Sequence, residues 1–186
     1  MPTTPFPWRP IGWSAAGALL LLPLVAGAPW TLSDYVFAAV LLGIAGGAIE
    51  VAVRMSASLS YRLGALVATA AAFLLVWVNA AVGLLGDEEN DANAVFLIVL
   101  LVAVGGTLLA RLRAAGTARA MLAAAGAQLL AGITGWAMGW AAPGGQGVYE
   151  VTVGTGLFGT LWLVAAALFA RAARHSAQRR TASPSI

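Results

Sequence analysis

Residues 63–110 read LGALVATAAAFLLVWVNAAVGLLGDEENDANAVFLIVLLVAVGGTLLA. Two uncharged apolar runs flank GDEENDAN (86–93), which holds four of the chain's acidic residues. Each run is about 20 residues long, the length a helix needs to cross a hydrocarbon layer of ~30 Å. The apolar residues are continuous rather than alternating, which selects helices over the strands of a barrel.

The rest of the chain follows the same plan. Of its 186 residues 61% are hydrophobic and 9% charged, and the mean hydropathy is +0.89. A soluble domain carries about 25% charged residues, because its surface must be wetted. A chain this apolar faces lipid, where every backbone N–H and C=O needs an internal partner. The expected fold is therefore all-α, a polytopic bundle of six transmembrane helices over 11–28, 33–53, 63–86, 92–110, 120–141 and 151–170. The first segment is short and carries Pro23, and SAAGALLLLPLVAGA (14–28) also resembles the core of a signal peptide; without it the bundle has five spans. Residues 1–10 are expected to form a short N-terminal segment, 11–173 one membrane domain, and 174–186 a disordered basic tail.

Charge gives the threading. Arg9, Arg54, Arg62, Arg111, Arg113, Arg119, Arg171, Arg174, Arg179 and Arg180 all fall on one side of the six segments. Asp34, Asp87, Glu88, Glu89, Asp91 and Glu150 fall on the other. Because short cytoplasmic loops collect basic residues, both termini are expected in the cytoplasm and GDEENDAN outside. The all-arginine, alanine-rich composition points to a GC-rich bacterial genome and so to a bacterial inner membrane. The net charge of +3 is distributed as topology requires, and no nucleic-acid partner is expected.

Candidate chemistry is sparse. The chain has no cysteine and one histidine, so thiolate nucleophiles and zinc clusters are excluded and no cofactor is expected. Asp87, Glu89, Asp91 and Asn93 alternate like the start of a calcium loop, but that loop needs glycine at its sixth position and glutamate at its twelfth. Here those are Ala92 and Ile98. The stretch reads as a solvated turn in which Asp91 or Asn93 caps the next helix, with Asp87, Glu89 and Asp91 at most a weak external cation site. TVGTG (152–156) resembles the potassium-channel filter sequence, but PGGQGVYE precedes it instead of a pore helix, and it reads as a glycine-softened helix start.

Apart from Asp34 at the outer end of the second span, Glu50 is the one acid inside an expected span, four residues before Arg54. That spacing stacks the two on one helical face, so a snorkelling ion pair is expected, with a proton or ion relay as the alternative. Asn79 and Gln128 are the intramembrane amides and need partners across helices. Gly43, Gly46, Gly47, Gly105, Gly106, Gly135 and Gly139 are candidate helix-packing positions. A shift of 59 residues lays LLGIAGG (41–47) over LLVAVGG (100–106), Arg54 over Arg113 and Trp77 over Trp136. This parallel repeat would pair helices two and three with four and five, and Trp77 with Trp136 as cavity aromatics. Trp8 and Trp13 suit one membrane interface and Trp30 and Trp140 the other. Acid–base residues are nearly absent from the spans, so the expected function is a non-catalytic partner or accessory subunit of another membrane protein, or a self-associating one. A small solute or ion transporter using Glu50 and Asn79 is the alternative.

Overall fold

The computed structural model describes residues 8–181, which form helices joined by short connections, with no strand among them. The helices are α1 (Trp8–Val25), α2 (Leu32–Met55), α3 (Leu59–Ala81), α4 (Val95–Leu109), α5 (Ala114–Ala137) and α6 (Gly145–Thr181), with one 3-10 turn, Asp91–Ala94, leading into α4. Five of the helices are long and apolar enough to span a membrane, α4 when taken with its 3-10 turn (Asp91–Leu109), and α1 is a shorter apolar helix than these spans. The chain divides into two compact units, up to Val51 and from Ala52 onward, with α2 running through the division.

In the first unit α1 and α2 form an antiparallel hairpin. Gly27 takes the left-handed conformation at the turn, with φ of 66°. Asp34 accepts hydrogen bonds from the Thr31 backbone N–H (2.7 Å) and hydroxyl (2.8 Å), holding the start of α2. Trp13 lies against Gly46, where an added Cβ would sit 2.8 Å from the ring.

The second unit is built around α5 and α6. They pack on each other, α3 packs on α6 and α4 packs on α5. Small residues set these approaches. Gly132 of α5 meets the Thr155 side chain of α6, Gly106 of α4 meets Ala120, and Gly64 of α3 meets Phe169 and Leu168. Tyr61 and Phe169 pack edge to face at 5.1 Å. Trp162 and Phe158 of α6 are among the largest fully buried side chains, and α5 buries an alanine-rich stripe.

The boundaries depart from expectation where loops gain tertiary partners. α3 ends at Ala81, five residues early, and Leu85 folds back to be completely buried, against Gly135. α5 begins at Ala114 because a tight turn precedes it: Arg111 and Leu112 both have positive φ (50° and 59°), and the Tyr61 hydroxyl donates to the Leu112 carbonyl at 2.7 Å. The expected disordered tail is corrected as well. α6 continues through Thr181, its last turns rich in alanine and arginine, which are strong helix formers. Residues 182–186, like residues 1–7 of the N-terminal segment, lie outside the described residues.

Candidate functional site

Three places hold the polar groups on which a function could rest. The first is Glu50. Its carboxylate is 2.9 Å from the Arg9 guanidinium, linking α2 to α1 within the first unit. The i, i+4 expectation named only Arg54, because spacing along one helix says nothing of a neighbouring helix. The same antiparallel register that sets Trp13 against Gly46 brings Arg9 level with Glu50.

The second is the acidic loop. Asp87, Glu88, Glu89 and Asp91 are exposed, while Asn90 and Asn93 turn inward. Asn93 Oδ1 accepts from the backbone N–H of Leu84 (3.0 Å) and Leu85 (2.9 Å), and its Nδ2 donates to the carbonyls of Asp87 (2.7 Å) and Leu85 (3.3 Å). Asn90, rather than Asp91 or Asn93, caps the 3-10 turn by accepting from Ala92 N–H at 3.0 Å, and it donates to the Trp140 carbonyl at 3.3 Å. The weak cation site is corrected: among the described residues no three acidic, histidine or cysteine side chains are placed to hold a metal. Asparagines take the inward positions because the loop's buried backbone needs donors and acceptors together, and a carboxylate offers only acceptors.

The third is the second unit's core and its flank. Gln128 is completely buried with neither amide atom bonded within the protein. Trp162 Nε1, Thr107 Oγ1, Thr117 Oγ1 and Asn79 Oδ1 are also buried without a partner. Asn79 Nδ2 donates back to the Leu75 carbonyl at 2.7 Å, so the expected interhelical bonds of Asn79 and Gln128 are not made. On the flank, α5 and α6 leave a groove of about 490 Å³ bordered by Gly132, Trp136, Thr155, Gly156, Gly159 and Leu163, among others. The Thr152 and Thr160 hydroxyls at its edge donate to the Val148 and Gly156 carbonyls at 2.7 Å each, which quenches them in an apolar setting.

Of the expected packing glycines, Gly46, Gly106 and Gly135 abut side chains. Gly43, Gly47 and Gly105 face open space, since adjacent residues of a helix point about 100° apart and only one of a Gly-Gly pair meets a given neighbour. Gly139 lies beyond α5 with φ of 68° and serves the helix end instead. The tryptophans matched by the repeat do not share surroundings: Trp77 stacks on Phe73 at 5.9 Å, whereas Trp136 is 61% exposed at the groove. The groove itself was missed by sequence reasoning, although Thr152-Gly156-Thr160 and Thr155-Gly159 carry the small-xxx-small spacing that marks such surfaces.

Together these features define an all-helical bundle with five apolar helices of membrane-spanning length and, among the described residues, no group of three or more His, Cys, Asp or Glu placed to hold a metal. Comparison with protein-family models, with curated proteins and with solved structures finds no match for this chain.

Proposed function

We propose that this chain is a non-catalytic, membrane-embedded partner subunit of a bacterial inner membrane, with both termini cytoplasmic, and that it receives a transmembrane helix of another membrane protein in the α5/α6 groove. The observation that carries this reading is the groove's chemistry. Its glycines allow close backbone approach and its Thr152 and Thr160 hydroxyls are internally bonded, so an apolar helix would meet a largely smooth small-residue surface. The Arg9–Glu50 pair supports the same reading, because it gives the one acid deep in the α2 sequence a structural role. The arginine asymmetry supports the orientation.

The chain lacks cysteine, so Leu163→Cys at the groove border can carry a photoactivated crosslinker in native membranes. A discrete adduct with a different membrane protein is expected. An adduct only with lipid, or only with a second copy of this chain, overturns the proposal of a heterologous partner. A second reading, ion or solute transport through Glu50 and Asn79, is favoured by the unpartnered Asn79 Oδ1. Reconstituted vesicles that move protons or sodium, and lose that flux in Glu50→Gln, would establish it instead.

A further inference from the structure

Independently of any partner, we infer that the core of the second unit contains a discrete binding site for one or two water molecules between Gln128 of α5 and Trp162 of α6. The site follows from register. Consecutive helices joined by a short connection run antiparallel, and Gly132 against Thr155 fixes how α5 and α6 align. Trp162 lies two turns beyond Thr155, which brings it level with Ala125; Gln128 is then level with Gly159, about 4.5 Å away along the axis at 1.5 Å per residue. Both side chains are buried, so both occupy the same layer inside the bundle. Between them they offer an amide N–H₂, an amide carbonyl and an indole N–H, none bonded within the protein.

The chemistry of the layer selects the occupant. No charged side chain is among its unpartnered groups, which disfavours an ion. The occupant must both donate and accept, since the amide carbonyl needs a donor and the two N–H groups need acceptors. The neighbouring Ala124, Ala125, Ala131 and Gly159 leave room for it, and it must be small because Gln128 and Trp162 are both fully buried. Water meets each condition, and a buried water held by two to four polar partners is an ordinary structural component. Such burial would otherwise leave three polar atoms desolvated without return.

The site is discrete and not part of a continuous wire. Thr107 and Thr117 lie on the arginine-rich side and Asn79 on the acidic side, each on the stripe its helix buries. Carrying the registers of Gly106 on Ala120 and Gly64 on Leu168 along the helices puts the nearest of them roughly 9 Å from the Gln128–Trp162 layer on either side. A hydrogen bond spans about 3 Å, so neither gap is bridged by one molecule.

The test uses the full chain in lipid nanodiscs with ¹⁵N-labelled tryptophan and alanine, the Trp162 indole resonance being identified by its loss in Trp162→Phe. On transfer to D₂O the Trp162 indole proton should exchange at least tenfold faster than the backbone amides of Ala124 and Ala125. Gln128→Leu should slow it at least tenfold by removing the amide that holds the water. An indole that exchanges no faster than those amides in the native protein, or at an unchanged rate in folded Gln128→Leu, overturns the inference. Should Gln128→Leu fail to fold, the native comparison decides by itself.

Discussion

Replacing Asn93 by alanine tests whether the acidic loop is a solvated linker or part of the bundle. The side chain makes four hydrogen bonds, two accepted from Leu84 and Leu85 and two donated to Leu85 and Asp87. A neutral hydrogen bond contributes a net of about 1 kcal/mol, so an upper figure is ~4 kcal/mol. Part of that is returned, because the loop lies at the end of the bundle and water can reach some of the released groups. The second contribution comes from Leu85, which is completely buried and depends on the loop's shape to stay there. We expect Asn93→Ala to cost about 2–4 kcal/mol. Asn90→Ala, which removes one cap bond and one bond to Trp140, should cost ~1–2 kcal/mol. Asp91→Ala, at an exposed position, should stay within about 0.5 kcal/mol. Unfolding by added SDS in mixed micelles, followed by tryptophan fluorescence, gives the three differences under one condition. If Asn93→Ala costs no more than Asp91→Ala, the loop is not held as described and its asparagines are merely solvated.

Three further outcomes are expected. Gly132→Leu should destabilise the bundle by ~1–3 kcal/mol or more through overpacking against Thr155, whereas Gly126→Ala, facing open space, should be neutral or gain up to about 1 kcal/mol in helix propensity; equal effects in the same SDS titration would remove Gly132 from the α5/α6 contact. A double-mutant cycle of Arg9→Gln and Glu50→Gln should give a coupling energy of ~0.5 kcal/mol, small because Arg9 is half exposed, and zero coupling would refute the pair. Arg111→Gly should stabilise by about 1 kcal/mol, since glycine tolerates the left-handed backbone that arginine holds there at φ of 50°, and a loss of stability of that size would show that the turn depends on the arginine side chain.

What could be read without a structure is what depends on composition and local order along the chain. The apolar runs place α2, α3, α4, α5 and α6, because length and hydropathy are one-dimensional properties and the membrane requirement acts on each helix separately. The acidity of residues 87–91 marks a turn for the same reason. Partnership is different in kind. Arg9 and Glu50 are 41 positions apart, and the pair exists only because a hairpin sets α1 and α2 in one register. Leu85 reads as the end of a span until Asn93 gathers the loop and buries it against Gly135. Gly105 and Gly106 are indistinguishable in sequence, yet Gly106 alone meets a neighbouring helix, because the choice rests on how α4 is rotated against α5. Gln128 looks like any intramembrane amide, and its isolation becomes visible only when the side chains around it are placed. Lipid solvates every apolar face alike, so in this chain hydrophobicity determines that the helices form and cross. Which faces meet is decided by the small residues and hydrogen bonds that only tertiary packing brings together.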